Sequence, residues 1–154
     1  MAPTEAERSL KPLQTSASVG IRVVTVVAAA LVRSDLRLLL SQRPEGKPMA
    51  GLWELPGGKL EVGETPRTGL IRELREELAI EVDPADLSPF AFASHDYPSF
   101  HLLMPVFLCR KWSGEVRGAE GQAFRWVAPE ELADYPTPEA DIPLIARYLE
   151  WSRP

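Results

Sequence analysis

Four glutamates between positions 64 and 77, with Arg72 among them, carry the chemistry of this chain: Glu64, Glu73, Glu76 and Glu77. At 100° per residue, Glu73, Glu76 and Glu77 fall within an arc of roughly 100° on one helix face. Like charges so placed repel by about 0.2–0.5 kcal/mol per pair, and Glu76 and Glu77 also lie near the negative end of the helix dipole. Arg72 is placed to offset Glu76 at i, i+4. Three carboxylates converging on one spot suit a hard divalent cation such as Mg2+, with Mn2+ as a substitute. Taken alone, a solvated acidic helix face accounts for the same pattern, so the elements around it have to decide.

Thr65 followed by Pro66 is a helix-start signal, because a hydroxyl caps free amides and proline fits the first turn without losing a bond. A helix is therefore expected over Pro66–Leu78, with Leu70, Ile71, Leu74 and Leu78 as its core face. Upstream, Pro56-Gly57-Gly58 supplies a tight turn whose backbone can approach a ligand without a Cβ in the way. Glu64 sits just before the helix. The whole stretch, PGGKLEVGETPRTGLIRELREELAI, closely resembles the Nudix box of the nucleoside-diphosphate-X hydrolases. Ala79 departs from that pattern, which has Gly there. If this position closes the helix in a left-handed conformation, Ala costs about 1 kcal/mol at the turn and leaves the carboxylates untouched.

The resemblance implies roles residue by residue. Glu73 and Glu77 are implied as direct metal ligands, Glu76 as a ligand directly or through water, and the Gly57 carbonyl as a further donor. Arg72 is either an ordinary ion-pair partner or the residue that orients the neighbouring glutamates, and Glu64 either stabilises the helix start or hydrogen-bonds within the catalytic cluster. Beyond the box, the resemblance over residues 21–151 extends to QRP at 42–44, AGLWELPGGK, and a late YP followed by ADIPLI. These look like the MutT-type branch, which hydrolyses nucleoside triphosphates, including oxidised ones such as 8-oxo-dGTP, and so cleans the nucleotide pool in support of DNA repair.

Members of that branch place a glutamate in a loop comparable to the one holding Glu120, where it binds metal or takes a proton from water. The stretch around Arg43 borders the substrate cleft in such proteins, Lys59 either reaches a phosphate or is simply solvated, and the position of Asp141 meets the base edge. Asp141 has a plainer role as the N-cap of the last helix. An ionised Asp only accepts hydrogen bonds, which would favour bases presenting amino or imino donors.

The mechanism follows from charge. A phosphoric anhydride repels hydroxide, so catalysis must neutralise phosphate oxygens, align a water and take its proton, with Glu73 or Glu120 as the base. The expected reaction is a nucleoside triphosphate plus water giving the monophosphate and pyrophosphate. A dinucleoside polyphosphate hydrolase is the competing enzyme, with Tyr97 as its marker. A Nudix-fold binding module would be expected to have lost a box carboxylate or Arg72, and none is lost here.

Composition sets the frame. A 154-residue chain with 45% hydrophobic content suits one domain with a full core, expected over residues 19–154 behind a flexible extension at 1–18. A net charge of −5 argues against stable binding to nucleic acid or anionic membrane. The longest apolar stretch, 23–32, is about half a membrane span. Cys109 is the single cysteine, which excludes an intrachain disulfide, fits a reducing cytoplasm, and reads as a core hydrophobe. His95 and His101 read as strand or turn residues. The expected assembly is a monomer or homodimer.

The fold class is expected to be α/β, a Nudix-type α/β/α sandwich with a mixed β-sheet. Strands at 21–32 and 37–42 should pair across the turn Arg33-Ser34-Asp35, followed by a brief extended segment at 52–55. After the central helix come strands at 89–97 and 100–112, a loop carrying Glu120, a strand at 123–127, one helical turn at 129–132, and a closing helix at 141–151 with Ile142, Ile145 and Leu149 on its inner face.

Overall fold

The computed structural model describes residues 20–154, and the extension expected over 1–18 lies outside the described residues. Among the described residues, seven strands and two α-helices follow in chain order: β1 (Val23–Leu31), β2 (Leu38–Gln42), β3 (Trp53–Glu54), β4 (Gly57–Lys59), α1 (Pro66–Leu78), β5 (Leu87–Tyr97), β6 (Phe100–Cys109), β7 (Phe124–Val127) and α2 (Ile142–Ser152). Short 3-10 turns at Pro84–Asp86, Pro129–Asp134 and Glu139–Asp141 connect them.

The strands form a four-stranded sheet in the order β4-β1-β6-β5 and a three-stranded sheet in the order β3-β2-β7. The larger sheet is mixed: β1 runs parallel to β6 and antiparallel to β4, while β5 and β6 form a long antiparallel hairpin. The smaller sheet is antiparallel throughout.

β1 explains the layering. Its apolar run has no polar face, as a strand covered on both sides requires. Val27, Ala29 and Leu31 pack into one core with Leu70, Leu74 and Leu78 of α1. Ala28 and Ala30 pack into the other with Leu144 and Tyr148 of α2. The two helices thus cover opposite sides of the strands, and the architecture is an α/β/α sandwich. Leu70, Leu74 and Leu78 are each fully buried, which contributes about 2 kcal/mol apiece.

Several expectations need correcting. β1 and β2 do not form a sheet pair: beyond one isolated bridge, Val32 to Leu38, they part into separate sheets. Leu36 takes a left-handed turn there, with φ 67°. β6 and β4 occupy both edges of β1, while the leucines of β2 are buried on both faces and draw that strand between the layers. β6 ends at Cys109 rather than continuing to Trp112. In α2, Ile145 and Leu149 pack against the core as expected, but the fully buried residues are Leu144 and Tyr148, and Ile142 is 59% exposed. Asp141 makes no side-chain cap to α2. Cys109 is buried as expected, and burial pushes its thiol up to about 11.

Candidate active site

The start of α1 is set by a reciprocal cap. Thr65 Oγ1 accepts from the Thr68 N–H at 3.2 Å and the Thr65 N–H donates to Thr68 Oγ1 at 2.9 Å, satisfying free amides that would otherwise weaken the first turn. The far end closes at Ala79 in the left-handed region, φ 58° and ψ 33°, with its N–H donating to the Arg75 carbonyl. The conformation that favours glycine is adopted by alanine, and the helix carrying the glutamates still runs its full length.

Arg72 organises the carboxylates. Its Nε and Nη2 donate to the two oxygens of Glu64 at 2.7 and 2.8 Å, a forked pair. Nη1 reaches Glu73 Oε1 at 3.0 Å and Glu76 Oε2 at 3.2 Å, and Nη2 also donates to the Lys59 carbonyl at 3.2 Å. The hydrogen bonds from Arg72 hold the Glu64 carboxyl down at about 2, and the same bonds push the guanidinium up. Both groups are therefore charged across the whole working pH range. One side chain thus ties the strand β4, the loop before α1 and two of its glutamates together, as a planar five-donor fork can.

Gly58 makes room for this cluster, since a Cβ there would lie 2.4 Å from the Glu73 carboxyl carbon. At neighbouring Gly57 a Cβ would lie 2.0 Å from the Val27 carbonyl oxygen. The Gly-Gly pair therefore lets β4 run against both β1 and the glutamates.

Glu77 stands differently. Burial pushes its carboxyl up to about 8, the charges of Glu73, Glu120 and Glu54 push the same way, and the Gly57 backbone offsets part of the rise. Glu73 is also raised, first by burial and then by Glu76 and Glu120, with Arg72 opposing. Glu120, distant in sequence, is thus brought to the same cluster as Glu73 and Glu77. An all-oxygen set of carboxylates whose negative charges raise one another matches a hard divalent cation, which would relieve that repulsion. Among the described residues no three such groups are already drawn around one point: Glu73 and Glu76 are turned to Arg72, and Glu76 is half exposed.

β4 joins the cluster to a cleft of about 400 Å3 on the opposite face of the larger sheet. Arg43, Glu54, Lys59, Tyr97, Phe100 and Asp141 are among its walls. Tyr97 stacks on Phe100 with ring centroids 5.1 Å apart, and its hydroxyl accepts from the Ala140 N–H. Arg43 Nη1 bonds both oxygens of Glu54 at 3.1 Å, yet burial still leaves the Glu54 carboxyl raised. Asp141 is 4% exposed, and its Oδ2 accepts from the Leu55 N–H at 3.3 Å. Burial, reinforced by Glu54, pushes it up to about 7. Near neutral pH it is therefore present both ionised and protonated, and is not the acceptor-only group expected from its type.

The histidines are engaged outside the glutamate cluster of α1. His101 bonds Asp96 and Ser94, and His95 bonds Glu139. Two residues of the site escaped the sequence reasoning. Glu54 is a lone charge inside the apolar run LWELP, a pattern that signals a charge with a buried partner. Gln122 bridges the Glu120 loop to α1 through its side-chain amide, and it had no local signal.

Comparison with known proteins agrees with this geometry. A family model described as NUDIX domain matches residues 27–147. The chain is 38% identical over 125 residues to the CTP pyrophosphohydrolase of Escherichia coli strain K12, covering 80% of this chain and 90% of that protein. It is 39% identical over 125 residues to the 8-oxo-dGTP diphosphatase of Haemophilus influenzae, with the same shares covered. Among solved structures, one from a study of MutT of Aliivibrio salmonicida and Vibrio cholerae superposes with a TM-score of 0.73 at 33% identity, covering 84% of this chain and 99% of that one. With the family model spanning most of the chain, the chain belongs to the Nudix hydrolases, in their MutT-type branch.

Proposed function

We propose that this protein is a Mg2+-dependent nucleoside triphosphate pyrophosphohydrolase that converts its substrate and water into the nucleoside monophosphate and pyrophosphate. One observation carries the reading: the partly buried Glu77 carboxyl, raised to about 8 beside Glu73, Glu120 and Glu54, stands at one end of a strand whose other face lines a nucleotide-sized cleft. A divalent cation held by Glu73, Glu77 and Glu76, with the Gly57 backbone beside them, would supply charge neutralisation for the phosphate oxygens. Mn2+ is expected to substitute.

The chain's own residues do the rest. Arg72 holds Glu73 and Glu76 in place through the bonds described, with Glu64 fixing the far side of its guanidinium. Glu120 takes the proton as the water oxygen bonds to phosphorus, and the pyrophosphate leaves on its bridging oxygen. Glu73 is the less suitable base, because its carboxylate is engaged by Arg72. Lys59 is exposed at the mouth of the cleft, where a point charge meets a phosphate. Arg43 shapes the floor through Glu54.

At the closed end, Asp141 meets the base edge. Being able to accept or donate near neutral pH, it suits both a guanine-type and a cytosine edge, and the two relatives described above are named for 8-oxo-dGTP and for CTP. We place the protein in the cytoplasm, as one domain over 19–154 acting as a monomer or homodimer, in nucleotide-pool cleaning. Among the described residues no helix is long and apolar enough to cross a membrane.

The experiment is kcat/KM with Mg2+ for a panel of ordinary and oxidised nucleoside triphosphates, with a dinucleoside tetraphosphate included and the products resolved. A preference for one or more triphosphates supports the reading. A preference for the dinucleotide, or orthophosphate as the sole phosphate product, overturns it.

A further inference from the structure

Glu120 sits in an irregular loop between β6 and β7, exposed to solvent, a poor platform for a group that must hold position to fractions of an ångström. The loop is nevertheless fastened to α1 at several points. The Arg117 N–H donates to the Leu78 carbonyl at 3.0 Å and the Ala119 N–H to the Glu77 carbonyl at 2.9 Å. These carbonyls belong to the last turn of α1, where no further helical amide is available to them.

The third tie is a side chain. Gln122 Nε2 donates to the Glu77 carbonyl at 2.8 Å, and Gln122 Oε1 accepts from the Glu120 N–H at 3.0 Å. Both halves of one amide are therefore used, one on the backbone of the helix carboxylate Glu77 and one on the backbone of the loop carboxylate Glu120. Only a group with a donor and an acceptor fixed side by side can do this, and Gln and Asn alone among side chains carry an amide. Gly118 accommodates the path of the loop, since a Cβ there would lie 2.2 Å from the Gln122 backbone carbonyl oxygen. Gln122 itself is only partly exposed.

We infer that Gln122 is a positioning residue for catalysis: it clamps the Glu120 backbone to the Glu77 backbone and so sets the distance between the loop carboxylate and the helix carboxylates. The inference rests on the assignment of Glu120 to the reaction. A misplaced catalytic group loses rate without losing substrate binding, so the effect belongs to kcat rather than KM.

The test compares Gln122→Met, which keeps the length and loses both bonds, in the wild-type and Glu120→Gln backgrounds. Gln122→Met is expected to lower kcat by about 10- to 100-fold with KM within about threefold, and to lower it less than about twofold further where Glu120 is already Gln. In the metal-free protein, hydrogen exchange at the Glu120 amide should quicken by about tenfold or more while the Arg117 amide stays protected. Gln122→Glu, which keeps the acceptor and loses the donor, takes the same place in the cycle if the Met protein fails to fold. Equal losses of kcat in both backgrounds, or an unchanged Glu120 amide in Gln122→Met, overturn the role of Gln122. Wild-type turnover by Glu120→Gln overturns the role of Glu120 and the inference with it, a result distinct from equal losses, which leave Glu120 in place.

Discussion

Replacing Asp141 by Asn should stabilise the protein at alkaline pH and do little in acid. Asp141 is nearly fully buried, its carboxyl is pushed from the ordinary 3.8 to about 7, and the causes are burial first and Glu54 second. A group with a raised folded-state pKa keeps its proton longer in the folded chain. The stability it contributes is fully present below about pH 4, falls as pH rises towards 7, and is lost above that. At about 1.4 kcal/mol per tenfold change in proton affinity, the move from 3.8 to about 7 sets an upper bound of about 4 kcal/mol on the cost of ionisation. Asn keeps an oxygen to accept from the Leu55 N–H, while its amino group needs a partner in the cleft, at a cost of about 1 kcal/mol. The expected gain is therefore about 1–3 kcal/mol at pH 8.5 and near zero at pH 4.5. Urea unfolding of both proteins at the two pH values measures it. A difference between the two proteins that does not change with pH would show that the Asp141 carboxyl is not raised in the folded chain.

Further outcomes follow from the carboxylate cluster and the helix that carries it. Glu77→Gln should lower turnover by about a thousandfold or more with the fold intact, and in chelator at pH 9 it should melt higher than wild type, because the ionised carboxyl raised to about 8 is gone; near-normal turnover would remove Glu77 from the ligand set. Ala79→Gly should raise stability by about 0.5–1 kcal/mol, because the residue sits at φ 58° where glycine alone avoids the Cβ penalty, and a melting temperature that falls would show that the turn is held by its side-chain contacts. In the substrate panel, Asp141→Asn should also reorder kcat/KM among bases, since the amide cannot exchange a proton as the acid does; an unchanged ranking would leave Asp141 with a purely structural role.

The legible part of this protein was local. Thr65-Pro66 marks the start of α1, which runs over Pro66–Leu78, and the spacing of Glu73, Glu76 and Glu77 on it follows from helix geometry alone. Cys109 in the core and the apolar β1 could also be read, because burial on two faces leaves no room for polar residues. What depended on distant pairing was not legible. The run at 21–32 and the run at 37–42 look like a hairpin, yet the parallel partner of β1 is β6, whose paired residues lie more than seventy positions away. The same limit hid the burial that makes Asp141 a wall of the cleft with a raised carboxyl instead of a helix cap. Gln122 is the sharpest case, since its meaning depends on Glu77 and Glu120 meeting at the end of α1.

In the proposed reaction the glutamates of α1 support metal-dependent cleavage of a triphosphate into monophosphate and pyrophosphate. The most direct measurement is phosphorus NMR of the products formed from a nucleoside triphosphate by chelator-treated protein, before and after Mg2+ is restored. No turnover is expected in chelator, and equal amounts of monophosphate and pyrophosphate are expected with Mg2+. Turnover that persists without metal, or orthophosphate with the diphosphate as the products, would contradict it.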